Sequence, residues 1–317
     1  MGRCPAHDDA VLSLSIRWAN GRVLLKCHAG CPTHAVVKVL GLTWFDLWDS
    51  DHKHQSPVAS VPSPARVLEE RDILLRDRVY RMLLDSLGLS RKHYTDLQNR
   101  GLDPVWIDRA GYRTLRFLGC VKAARLALST FGERAYDVPG LVYSMGRPAF
   151  TASDGLLIPV RNPAGQIVGV LVRADAGIHK YRWLSTARAS VGMPVHVPLG
   201  TVEALAQEGK LRLTEGPLKA DVAFRLSGIP TLGVGGIAAW KRSLPLLELL
   251  KPECVLLAVD ADWQTKENVA QSLRDWADTL HSLGYPISLE HWPLALGKGI
   301  DDALLAGVEP KLLPYED

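Results

Sequence analysis

The chain runs to 317 residues, of which 47% are hydrophobic and 22% charged, the balance of a soluble globular protein with room for two or three domains. Its apolar runs, such as 246–250 and 255–259, fall far short of the roughly 20 residues that cross a bilayer. No apolar leader precedes Cys4, so a soluble, cytoplasmic protein without a membrane partner is expected, and a formal net charge of +3 is too small to define a polyanionic partner by itself.

The chain opens with Cys4-Pro5-Ala6-His7, an alternating run over 11–16, the pair Asn20-Gly21, and a second run over 23–25 that leads into Cys27. Asn-Gly between alternating runs predicts a tight hairpin, because both central residues need positive φ. Such a hairpin brings Cys4 and His7 to Cys27 and Cys31, and a helix is expected over 33–40, stopping at Gly41. Sulfur and imidazole are the donors that tetrahedral zinc prefers, so these four are the candidate zinc ligands, with His28 as the alternative to Cys27. Four protein ligands leave no open position for chemistry, so the expected role of the ion is to hold a ribbon too small to have a core. The five cysteines do not read as a disulfide framework, and Cys120 and Cys254, beside apolar residues, are expected to be buried thiols.

The zinc ribbon is assigned to 1–48. Residues 49–65 are rich in Ser, His and Pro without periodicity and read as a mobile linker. From 66 to 128 the pattern is mainly amphipathic helix, interrupted at Gly88, at the Gly101 to Pro104 corner and at Gly111. Strands are expected over 156–161 and 167–173, joined by the turn Asn162-Pro163-Ala164-Gly165. Between 161 and 196 stand Arg161, Arg173, Lys180, Arg182 and Arg188 against the single acid Asp175, a locally basic stretch that suits nucleic acid as well as a solvated face.

The last third alternates strands (211–214, 231–234, 255–259, 287–292) with helices (218–226, 244–250, 267–283), which predicts an α/β fold with a mostly parallel sheet flanked by helices. A mixed α+β region over 66–200 and this sheet domain over 201–317 complete the expected architecture. In open α/β sheets, ligands bind outside the carboxyl ends of the strands, and three acidic signals fall there. They are Glu215-Gly216, Asp260-Ala261-Asp262, and Gly297-Lys298-Gly299-Ile300-Asp301-Asp302. Carboxylates brought together repel unless a hard divalent cation offsets them, which points to Mg²⁺ or Mn²⁺ against a nucleoside triphosphate. Lys219 and Lys298 stand beside the acids, where they can contact phosphate or pair a carboxylate. Glycines in Gly233-Val234-Gly235-Gly236 admit close backbone approach, to a ligand or within a tight turn.

In this order along the chain, the motifs resemble those of the DnaG-type primases. Cys-Pro-Ala-His with Ser13-Leu14-Ser15-Ile16 and the Cys27 to Cys31 knuckle is similar to that family's zinc-binding domain. Arg100-Gly101-Leu102 and Ala110-Gly111-Tyr112 resemble the start of its polymerase domain, and Leu157 to Arg161 with Gly165 to Arg173 and Lys180-Tyr181 its basic strand pair. Thr214-Glu215-Gly216, Asp260-x-Asp262 and Gly297-Lys298-x-x-Asp301 look like the three Toprim motifs.

The resemblance implies a Toprim-like C-terminal domain. Glu215, Asp260, Asp262 and Asp301 would form the catalytic group, with Glu215, Asp260 and Asp262 on Mg²⁺ or Mn²⁺. Arg161, Arg173, Lys180, Lys219 and Lys298 would contact template or nucleotide phosphates, with the ribbon assisting template recognition. The chain departs from the family pattern in two places: Lys219 and Gly299 stand where aspartates are common, which leaves one or two catalytic metals open. The short C-terminal end leaves no room for a helicase-contacting domain, and no Gly-x-x-x-x-Gly-Lys-Ser/Thr loop occurs, as in a short phage or mobile-element form. The expected activity is that of a DNA primase, a nucleotidyltransferase making short primers from nucleoside triphosphates on single-stranded DNA, with a separate replicative helicase as a candidate partner. A Toprim nuclease and a non-catalytic single-strand-binding replication module are the alternatives.

Overall fold

The computed structural model describes residues 2–8, 12–19, 22–40, 70–144, 146–151, 154–176, 180–186 and 189–315. The Asn20-Gly21 turn, Gly41, the 49–65 linker and Arg188 lie outside them. The chain divides into two compact units, 1–67 and 68–317. Among the described residues no helix is long and apolar enough to cross a membrane.

The first unit is built on the antiparallel pair β1 (Leu14–Ala19) and β2 (Arg22–Cys27), in register from Leu14 opposite Cys27 to Ala19 opposite Arg22. Gly2 pairs with Leu14 through two backbone hydrogen bonds of 2.7 and 2.9 Å, which carries Cys4 back to the hairpin. Helix α1 (Thr33–Val39) follows. Among the described residues the buried interior is Cys4, Leu14, Cys27, Val36 and Val37, so apolar burial contributes little here and cross-linking by metal has most to add.

In the second unit, α2 (Glu70–Asp85), α3 (Arg91–Asn99), α4 (Pro104–Ala110) and α5 (Phe117–Phe131) account for the helical patterning before residue 131. Their ends follow from the local sequence. The Ser90 hydroxyl caps α3 by accepting from the His93 amide, and Asp103 caps α4 ahead of Pro104 in the first turn. Gly111 ends α4 at φ 76°, a conformation that glycine adopts without a Cβ penalty.

The expected basic strand pair is β6 (Gly155–Arg161) and β7 (Ile167–Ala174). With the short β3 (Arg113–Leu115) and β8 (Tyr181–Trp183) on its edges, it forms an antiparallel sheet in the order β3-β6-β7-β8. A small hairpin, β4 (Leu141–Ser144) with β5 (Arg147–Phe150), packs against α5.

The second sheet holds β9 (Lys210–Glu215), β10 (Thr231–Val234), β11 (Cys254–Ala258), β12 (Ile287–His291) and β13 (Lys311–Pro314), in the order β10-β9-β11-β12-β13. The first four are parallel and β13 runs antiparallel on the edge. Helices α6 (Thr201–Glu208), α7 (Pro217–Ser227), α8 (Leu244–Leu250), α9 (Glu267–Ser282) and α10 (Ile300–Leu305) accompany it. From β9 the chain moves to one side to make β10, then returns past β9 to make β11 on the other side. The carboxyl ends of β9 and β11 are therefore a topological switch point, where an open α/β sheet leaves a crevice. The division expected at 200/201 falls inside this unit, between its two sheets.

Candidate functional site

Four ligand atoms converge in the first unit. Cys4, His7, Cys27 and Cys31 place their sulfurs and ring nitrogen within 4.8 Å of one another, with His7 Nδ1 3.2 Å from the Cys31 sulfur and 3.9 Å from that of Cys27. Cys27 carries thiolate character, with a pKa of about 6. Burial opposes this, but hydrogen bonds from the Ser13 hydroxyl and from the backbone at Cys31 and Ala29 outweigh it. Sulfur and imidazole at this spacing fit a tetrahedral zinc ion, and it is Cys27 rather than His28 that belongs to the group. The spare thiols differ from each other: Cys120 is buried, whereas Cys254 is only partly so.

At the switch point of the second unit opens a cleft of about 550 Å³. Glu215 is the last residue of β9, and Asp260 follows β11 by two residues. Because Thr214 lies opposite Ala258, the two carboxylates come from adjacent strand ends. Gly216, at φ 90°, turns the chain sharply from β9 into α7. Gly233 on β10 lets that turn sit close: a Cβ there would lie 2.8 Å from the Gly216 carbonyl oxygen. This glycine serves packing, while Gly235 and Gly236 line the cleft. The third acidic segment is tied to the second by a hydrogen bond from the Ala261 amide to the Lys298 carbonyl, 2.8 Å.

Burial, and then the charge of Asp260, pushes the Glu215 carboxyl up; the same residue accepts a hydrogen bond from the Ile237 amide at 3.2 Å. Asp301 is 3% exposed and is likewise pushed up, by burial first and Asp302 second. Its Oδ2 faces Arg100 Nη1 at 3.4 Å, whereas its Oδ1 is buried without a hydrogen-bond partner. Lysines interleave with the acids. Lys219 pairs with Asp260 Oδ1, and Lys298 lies 3.3 Å from Asp260 Oδ2 and 3.2 Å from Asp262 Oδ2. Asp262 also receives Lys266 at 2.5 Å, which with Lys298 holds its carboxyl below the usual range.

Glu215, Asp260, Asp301, Lys180, Lys219 and Lys298 thus share one cleft. Asp262 stands outside its lining and acts on it through Lys298. Arg173 pairs with Asp96 in a neighbouring groove of about 370 Å³, which Lys180 also borders. Arg161, expected to contact phosphate, is instead 5% exposed and donates through Nη2 to the Ala110 carbonyl at 2.8 Å, on a strand, β6, that is buried along its whole length. Arg100, Asp302, Tyr181 and Trp183 line the cleft without having been singled out as site residues. Asp302 adjoins a chosen aspartate; Arg100 stands in the Arg100-Gly101-Leu102 motif, but it is 201 positions from Asp301, a pairing that no local pattern shows.

Oxygen donors from Glu215, Asp260 and Asp301, one of them a buried orphan, have the chemistry a hard divalent cation requires. Among the described residues, the carboxylates do not gather as closely as the Cys-His group does.

No family model matches the chain, and no curated protein does. Solved structures do. A primase of Aquifex aeolicus, comprising zinc-binding and RNA polymerase domains, superposes with a TM-score of 0.60 at 16% identity, covering 98% of this chain and 79% of that one. This is the fold of a DnaG-type primase core. The RNA polymerase domain of Mycobacterium tuberculosis primase DnaG, solved with a double-stranded DNA carrying a 6-nucleotide overhang, matches with a TM-score of 0.56 at 16% identity over 74% of this chain and 78% of that one. A DnaG primase catalytic domain bound to single-stranded DNA gives 0.54 at 16% identity over 75% and 80%. The primase fold accounts for both sheets and for the Cys-His group ahead of them.

Proposed function

We propose that the chain is a primase-type nucleotidyltransferase with a Toprim-like centre, joining nucleoside triphosphates into short primers on single-stranded DNA. The observation that carries this reading is that Glu215 and Asp260 leave adjacent strand ends at the switch point and enter one cleft with Asp301 and a set of cations. In the reaction, a 3′-hydroxyl attacks the α-phosphate of the incoming nucleotide and pyrophosphate leaves. A divalent cation held by Glu215, Asp260 and Asp301 would supply charge to offset the phosphates and the developing oxyanion. Lys298 is 55% exposed on its side chain and can turn from Asp260 and Asp262 to a triphosphate oxygen without leaving the cleft. Lys180, exposed and bordering both cleft and groove, is placed to follow a strand backbone from one into the other. Primase domains of the same fold solved with bound DNA support a DNA template. The zinc-held hairpin would assist in recognising it.

The test is labelled single-stranded DNA with Mg²⁺ or Mn²⁺ in the presence and absence of nucleoside triphosphates. Extension by the wild type is expected, with a loss of at least about a hundredfold in Asp260→Ala/Asp262→Ala, the scale on which removing charge stabilisation acts. Shortening of the DNA without nucleotides would make the protein a nuclease. DNA binding unchanged by the double substitution, with no activity in the parent, would make it a binding module.

A further inference from the structure

The cleft contains a cation of its own. Lys219, in the first turn of α7, pairs directly with Asp260 and is only 26% exposed on its side chain. Its ammonium also borders the third acidic segment. A Cβ built on Gly299 would lie 3.0 Å from Lys219 Cε, 3.1 Å from its Nζ and 2.3 Å from Asp301 Oδ1. The absence of a side chain at position 299 is therefore what lets the lysine and Asp301 share that corner. One ammonium thus stands between the second and third acidic segments. Asp301 Oδ1, buried and without a hydrogen-bond partner, leaves an acceptor open to one further cation.

We propose that Lys219 fills, as a fixed ammonium, the place of one metal ion, so that the cleft takes a single divalent cation. This rests on the metal-dependent reading above and refines it. Two divalent ions beside this ammonium would meet strong like-charge repulsion in a partly buried site. One ion, drawn by Glu215 and the free oxygen of Asp301, completes the balance.

The test uses the full-length, zinc-loaded protein titrated with Mn²⁺ alone and followed by electron paramagnetic resonance, counting the tight ions that are lost in Asp260→Asn/Asp301→Asn. The wild type and Lys219→Arg are expected to hold one such ion and Lys219→Asp two. Should Lys219→Asp not fold, Lys219→Met keeps the packing and removes the charge, and its Mn²⁺ dissociation constant is expected to fall at least about tenfold. Two cleft ions in the wild type, a single ion in folded Lys219→Asp, or unchanged affinity in Lys219→Met would each overturn the proposal. Primer synthesis with two bound ions would leave the function standing and remove this inference. One bound ion without synthesis would do the reverse.

Discussion

Glu215 and Asp301 carry charge where the fold makes charge costly. Both are held above the ordinary carboxyl range by burial, so between their unfolded and folded pKa values the native state binds more protons than the unfolded chain. Stability contributed by the protonated form is present at low pH and is lost as pH rises through the folded values, upward from 4.5 for Glu215 and 3.8 for Asp301. Glu215→Gln and Asp301→Asn remove that ionisation. In buffer free of divalent cations, each is expected to raise the urea midpoint relative to wild type, with a wider gap at pH 7.5 than at pH 4. Added Mg²⁺ binds only the native wild type and should narrow the gap. A gap that is the same at both pH values would show that these carboxyls titrate normally. Legibility at this scale was uneven. Acids at strand ends were visible because strand and loop are local patterns, whereas the burial of Arg161 depends on what covers both faces of β6 and the approach of Arg100 on a contact between distant segments.

Helix α7 presents Lys219 to the cleft, and a buried polar network sets its position. Asp221, on the same helix, is 3% exposed and accepts from the Tyr112 hydroxyl through Oδ2. Its Oδ1 lies 3.2 Å from His196 Nε2. His196 Nδ1 accepts the Arg161 amide at 3.1 Å, which leaves the ring proton on Nε2 to donate to Asp221. His196 also bridges Gly233 on β10 through backbone hydrogen bonds of 2.8 and 2.9 Å. The network thereby joins β6 and β10 to one turn of α7. Asp221→Ala would orphan the Tyr112 and His196 donors, at about 1–3 kcal/mol each. Chemical denaturation is expected to show a loss of that order, together with weaker Mn²⁺ binding as the first turn of α7 loosens. Unchanged stability would mean that water replaces the carboxylate. Asp221 and His196 were not marked in the sequence, because a buried Tyr-Asp-His group has no spacing rule; the helix itself was expected over 218–226 and spans Pro217–Ser227.

On the scale of the whole molecule, the α/β alternation and the hairpin were readable because period and turn chemistry are properties of short segments. Strand order was not, since it depends on which side of β9 each crossover returns. The edge strands β3, β8 and β13 also escaped notice, being three or four residues long and, in β13, exposed throughout. The two units differ in what holds them. Residues 68–317 contain extended apolar clusters, including Trp276 and Trp292, and a buried pair in which Arg212 meets Glu290 at 2.6 and 2.7 Å. Among the described residues of 1–67, five apolar side chains are buried, two of them cysteines of the candidate zinc group. Hydrophobic burial scales with area, so the larger unit has its own source of stability while the smaller would draw its stability from metal ligation. Zinc removal with a chelator, or Cys31→Ser, is therefore expected to abolish the β-hairpin signals of residues 14–27 in nuclear magnetic resonance spectra. The resonances of Trp276 and Trp292 should keep their native shifts and the main thermal transition its midpoint. Retention of the hairpin without zinc would show that Leu14 and Val36 suffice, and a shifted main transition would show that the larger unit also depends on the metal.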